Sequence, residues 1–155
     1  MSKWINQLRA LSIEEWRLLL VSIVLLPLTA LALYIIGFKK TKNLMTRFIP
    51  LYAEHTKSDA EQLKIAERVA RMVTIAANHS FYSANCLKKA LVIWWFLKRK
   101  GIMTELKIGV RKEETDFLAH AWVELNGTPL TDPLAFLATK SFDEKAEEII
   151  SFEPN

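Results

Sequence analysis

Residues 85–110 read NCLKKALVIWWFLKRKGIMTELKIGV, and the change of period inside this stretch decides the fold. Every residue from Ala90 to Leu97 is apolar, which predicts a central helix enclosed by protein on nearly all sides. Lys98, Arg99 and Lys100 follow, where cations favour the negative end of the helix dipole, and Gly101 supplies the stop. Beyond Gly101 the period drops from 3.6 to 2. Leu106, Ile108 and Val110 alternate with polar or small residues, as a half-buried strand requires. Helix and strand in immediate succession predict an α+β domain, with helices packed on a short antiparallel sheet. Ser83 is the expected N-cap of the helix, which places Cys86 in its first turn.

Working downstream, a charged turn (Arg111 to Asp116) leads to a strand over about Phe117 to Leu125. That strand ends at Asn126-Gly127, a strong hairpin signal, and Pro129 to Asp132 reads as the returning strand. Residues 134–155 read as a peripheral tail. Upstream, Ser58 to Glu61 has the form of a capping box and opens a helix. Its apolar positions Ala66, Val69, Val73 and Ala76 keep three-to-four spacing, and it fades at Asn78-His79. Residues 39–57, with a lysine cluster and Pro50, read as a linker. Residues 1–17 read as a short amphipathic helix anchored by Trp4, Leu8, Leu11 and Trp16, and Ser12 with Glu15 forms another capping box. The chain therefore divides into an apolar amino-terminal region and linker, residues 1–57, and a core, residues 58–155.

A chain of 155 residues, 51% hydrophobic and 25% charged, can bury one sizeable core and is not disordered. Its net charge of +4 is spread along the sequence with acids between, without the basic run and stacking aromatics that nucleic-acid binding needs. Leu18 to Phe38 contains no charged residue and is long enough to cross a bilayer as a helix. Pro27 at its centre predicts a kink or a split into two short helices. Acids Glu14 and Glu15 precede it, unlike a secretory signal. The basic excess after it (Lys39, Lys40, Lys42, Arg47) would keep the following half cytoplasmic. A core helix pair and a membrane-seated helix both satisfy this stretch.

Cys86 is the only cysteine, so no internal disulfide exists. A free cysteine is often buried packing, but this one stands at a helix start. Unpaired first-turn N–H groups and the helix dipole favour a thiolate there, and the same donors can hold an oxyanion. His120 lies mid-strand between two alanines, where another element can approach its ring, and can serve as general base. Asp132 on the next strand can fix the orientation of that ring. Asn85 can donate to the oxyanion or cap the helix, and capping is the reading favoured. Trp122 shares a strand face with His120 and can shield the His–Asp contact from water, bind substrate, or simply pack in the core. One thiolate and one strand histidine lack the close second pair of a zinc site, so no metal and no other cofactor is expected. His55 and His79 read as surface residues.

The pairing parity sets a condition. A strict two-residue turn at Asn126-Gly127 pairs Leu125 with Thr128 and puts Asp132 opposite Ala121, on the face away from His120. The triad therefore predicts an irregular hairpin, with an odd turn or a bulge near Pro129.

Asn85-Cys86-Leu87, Gly101-Ile102, Ile108-Gly109-Val110 and Ala119-His120-Ala121-Trp122-Val123-Glu124, with Asp132-Pro133, resemble the transglutaminase-like cysteine enzymes. More closely they resemble the leader peptidases of lasso-peptide biosynthesis. The likeness is strongest over about residues 58–133. It implies a transglutaminase- and papain-like core with Cys86 as nucleophile, His120 as base and Asp132 as orienting acid. It further implies a precursor peptide as substrate, a separate leader-binding recognition protein as partner, and a macrolactam synthetase acting next. The apolar region before residue 58 leaves no room for a fused recognition domain, so the stand-alone protease form is expected. Acyl transfer to an amine, as in transglutaminases, and a non-catalytic membrane-seated scaffold are the rival readings.

Overall fold

The computed structural model describes residues 11–50, 58–79, 85–112 and 117–131. The elements run α1 (Ile13–Arg47), α2 (Asp59–Asn78), α3 (Cys86–Arg99), β1 (Glu105–Lys112), β2 (Phe117–Leu125) and β3 (Thr128–Pro129). The three strands form one antiparallel sheet in the order β1-β2-β3. α3 packs on β2 and β1, while α1 and α2 pack on α3 and on each other. The α+β expectation holds, with an apolar amino-terminal helix laid against the helical layer.

α3 is enclosed as its composition requires: Ala90 through Leu97 are all buried. Its end closes by two backbone bonds, Ile102 N–H to Leu97 O and Gly101 N–H to Lys98 O, with Gly101 at φ 75°. This is a Schellman motif, in which a glycine takes the left-handed position and the following apolar residue (here the buried Ile102) docks back. On α2 the expected stripe is buried: Ala66, Val69, Val73 and Ala76 face the core. Ser58 occupies the N-cap but makes no side-chain cap bond, so the capping box read there is not formed. The box at the start of α1 is complete. Glu15 N–H donates to Ser12 Oγ at 3.3 Å and Ser12 N–H donates to Glu15 Oε2 at 2.9 Å.

α1 departs from expectation in two places. It continues through Pro27, whose ring lies on the exposed side, so the hydrogen bond it removes costs the core nothing. The break falls instead at Gly37, with φ 77° and ψ 174°. Residues 39–47, expected in a linker, are helical, and their Thr41 and Met45 are buried. The two parts of α1 double back on each other. Trp95 Nε1 donates to Met45 O at 2.9 Å, and Trp95 also lines one surface cavity with Leu18 and Val21. A straight helix from Leu18 to Met45 would span roughly 40 Å, so both can meet Trp95 only because the chain turns at Gly37.

The start of α1 is tied to α2 by ions. Glu15 accepts from Arg71, and Arg68 lies 3.6 Å from Glu14 and 4.0 Å from Glu15. Bonds from Ser12, and then the Arg71 guanidinium, hold the Glu15 carboxyl below its ordinary range. At the other end Lys42 stands 5.5 Å over the Trp94 ring. Burial and the nearby Lys98 depress the Lys42 ammonium, and burial also depresses that of Lys98.

The hairpin is regular. Leu125 pairs with Thr128 and Glu124 with Pro129, and Leu130 N–H donates to Val123 O at 2.9 Å. Asn126 at φ 50° and Gly127 at φ 76° make the two-residue turn, both residues taking the positive φ of a type I′ hairpin. The irregular hairpin expected at Pro129 is thus corrected. Pro129 falls at a non-hydrogen-bonded pair, where its missing N–H leaves no gap in the ladder. The returning strand is also shorter than expected, ending at Pro129 with bends at Leu130 and Thr131.

Candidate active site

Cys86 is the first residue of α3, and Asn85 is its N-cap. The Asn85 side chain accepts from Lys88 N–H at 3.3 Å, so the capping reading of Asn85 is the one observed. Ser83, the cap expected from sequence, lies outside the described residues. The position of Cys86 follows from this local chemistry. Asn85 sits at φ −68° and ψ 169°, extended, and the helix starts one residue later. The thiol therefore stands among first-turn N–H donors at the positive end of the α3 dipole. Cys86 is half-buried and packs against the edge of the core.

His120 lies on β2 with Gly109 directly across from it, so no β1 side chain bears on the ring from that position. Alternation splits β2 between two faces. Ala121, Val123 and Leu125 join the core beneath α3, together with Leu106 and Ile108 of β1. His120, Trp122 and Glu124 share the opposite face, across from Gly109, Lys107 and Glu105. His120 stacks on Trp122, with centroids 5.9 Å apart and planes inclined by 16°. The Trp122 indole N–H in turn donates to Glu124 Oε1 at 2.7 Å. Trp122 is only 5% exposed, so its ring is committed to this packing and offers little surface to a peptide. His120 Nε2 is likewise buried.

The structure thus joins His120, Trp122 and Glu124 into one row on the face of β2 away from α3, the helix that Cys86 begins. Asp132 lies outside the described residues, as do His55 and the tail from residue 134. The described ladder ends at Pro129, followed by bends at Leu130 and Thr131. Glu124 is the member of the row that sequence reasoning left without a role. The even spacing from His120 through Trp122 carried the signal. Among the described residues, no cluster of three or more histidine, cysteine or acidic side chains could hold a metal ion.

An oriented imidazole and a thiol at a helix start are the parts from which a thiolate nucleophile is built. The profile of the family described as "Transglutaminase-like superfamily" matches residues 36–143. No curated protein and no solved structure matches the chain. The matched span exceeds half of the 155 residues and takes in Cys86, His120 and Asp132, and on this ground the chain belongs to the transglutaminase-like superfamily, which includes cysteine peptidases.

Proposed function

We propose that the chain is a cysteine peptidase that removes the leader from a ribosomally made lasso-peptide precursor. The observation that carries this reading is the placement of Cys86 as the first residue of α3, among first-turn N–H donors, in a chain of this superfamily. In the proposed reaction His120 takes the Cys86 proton and Sγ attacks the carbonyl of the leader–core bond. First-turn N–H groups of α3 stabilise the oxyanion. The C–N bond then breaks, and the core amine leaves with the proton from His120. Water, deprotonated by His120, hydrolyses the thioester and frees the leader carboxylate. Asp132 orients the imidazole. Neither a metal nor a cofactor takes part.

The likeness of Asn85-Cys86-Leu87 and of residues 119–124 to the lasso-peptide leader peptidases supports the substrate class. A separate leader-binding protein presents the precursor, and a macrolactam synthetase consumes the freed amine. The catalytic half works on the cytoplasmic side. The test is mass spectrometry of precursor peptide incubated with the chain and the leader-binding protein. Cleavage at one bond, lost in Cys86→Ala, is the expected result. A mass gain from an added amine would assign acyl transfer instead, and full cleavage by Cys86→Ala would end the peptidase reading.

A further inference from the structure

We propose that α1 is an in-plane anchor whose outward face lies in an anionic lipid surface without crossing it, an inference independent of the peptidase reading. α1 is inverted relative to a soluble helix. Its few polar residues between Leu18 and Phe38, Ser22 and Thr29, are buried against the protein, with Ser22 Oγ donating to Leu18 O at 2.6 Å. Facing outward at three-to-four spacing are Leu20, Val24, Leu28, Leu31 and Ile35, from 54% to 67% exposed. Tyr34 beside them is 89% exposed. This stripe is continuous and uncharged, and the helix is apolar and long enough to enter a membrane.

Spanning does not fit the geometry. The inner side of α1 is covered by α2 and α3, and α2 carries the exposed Glu61, Lys64, Glu67 and Arg68 into that same layer. Doubling back at Gly37 returns Met45 to Trp95, the residue that Leu18 and Val21 also approach. The segment therefore leaves and rejoins the protein on one side. A span would draw Lys39, Lys40 and Lys42 of the returning arm into hydrocarbon.

Charge decides between lipid and a second copy of the chain. Arg17, Arg99 and Lys100 border the stripe at its first end, around the cavity with Val21, where the one acid, Glu14, lies 3.6 Å from Arg68, and Lys39 and Lys40 are exposed at its far end. A two-fold dimer through this stripe would set one cationic rim against the other. An anionic lipid surface satisfies both rims and the stripe together.

The experiment is flotation of the full chain with phosphatidylcholine vesicles, with and without phosphatidylglycerol. Binding should require the anionic lipid and weaken with salt. Val24→Glu and Leu28→Glu should each lose about tenfold in partitioning or more, with unchanged circular dichroism. Lys39→Ser with Lys40→Ser should lose about fivefold per cation. Nitroxides placed by Leu20→Cys, Leu28→Cys and Ile35→Cys, each in a Cys86→Ser background, should report one shared shallow depth. Absence of vesicle binding, binding indifferent to Leu28→Glu or binding indifferent to lipid charge would overturn the proposal. So would graded depths, which mean a span, or a vesicle-free dimer that Leu28→Glu dissolves.

Discussion

Replacing Gly37 by alanine discriminates sharply between a doubled-back α1 and a straight one, because the two predict opposite signs. Gly37 sits at φ 77° and ψ 174°, a region of backbone space that is essentially reserved for glycine. A Cβ built there meets nothing within 4 Å, so no packing clash contributes and the cost is conformational alone. An L-residue held in that region costs about 1–3 kcal/mol. Were α1 a continuous straight helix, the same substitution would stabilise by about 1 kcal/mol, since alanine is the better helix former. The assay is urea unfolding followed by circular dichroism. With a slope of about 1–3 kcal/mol per M, Gly37→Ala should lower the midpoint by roughly 1 M at unchanged slope. A midpoint that stays or rises would refute the doubled-back arrangement, and with it the geometry that argues against a span.

Leu26 is fully buried on the inner side of α1, so Leu26→Ala should destabilise by about 2–5 kcal/mol in the same assay, whereas Leu31→Ala on the exposed stripe should change little. Glu15→Gln tests the acid limb. Because Glu15 titrates below its ordinary value in the folded chain, its contribution is present above about pH 4.5 and is lost as pH falls through the lowered value. The difference in stability between wild type and Glu15→Gln should therefore shrink towards zero on acidification. Trp122→Phe keeps a ring beside His120 but removes the 2.7 Å bond to Glu124. It should cost about 1–2 kcal/mol. It should also move the His120 ring resonances by proton NMR, and an unmoved spectrum would separate Glu124 from the histidine row.

The fold was legible where composition and period were unambiguous. Ala90 to Leu97 left no polar side for solvent, and Phe117 to Leu125 ended on Asn126-Gly127, so helix, strand and turn followed directly. Local signals misled where tertiary contacts decide. Ser58 to Glu61 has the letters of a capping box, yet its side chain makes no cap bond. Pro27 reads as a breaker, but on the exposed side its missing donor is harmless, while Gly37 makes the turn. Residues 39–47 read as linker because of their lysines, but Thr41 and Met45 face inward. At the site, the helix start at Cys86 and the shared face of His120 and Trp122 were readable from spacing. The stacking of those rings and the bond to Glu124 required the folded sheet. The two-residue turn pairs Leu125 with Thr128 as parity requires, but the expected irregularity is absent, since a proline at a non-hydrogen-bonded pair needs no bulge.

The central claim is that His120 activates Cys86, and the most direct measurement is the rate of Cys86 alkylation by iodoacetamide at neutral pH in wild type and His120→Ala. Cys86 is the only thiol, so intact mass reports the site without ambiguity. The account predicts a single rapid adduct in wild type, and a rate at least tenfold lower in a folded His120→Ala protein. Equal rates in the two proteins would contradict it.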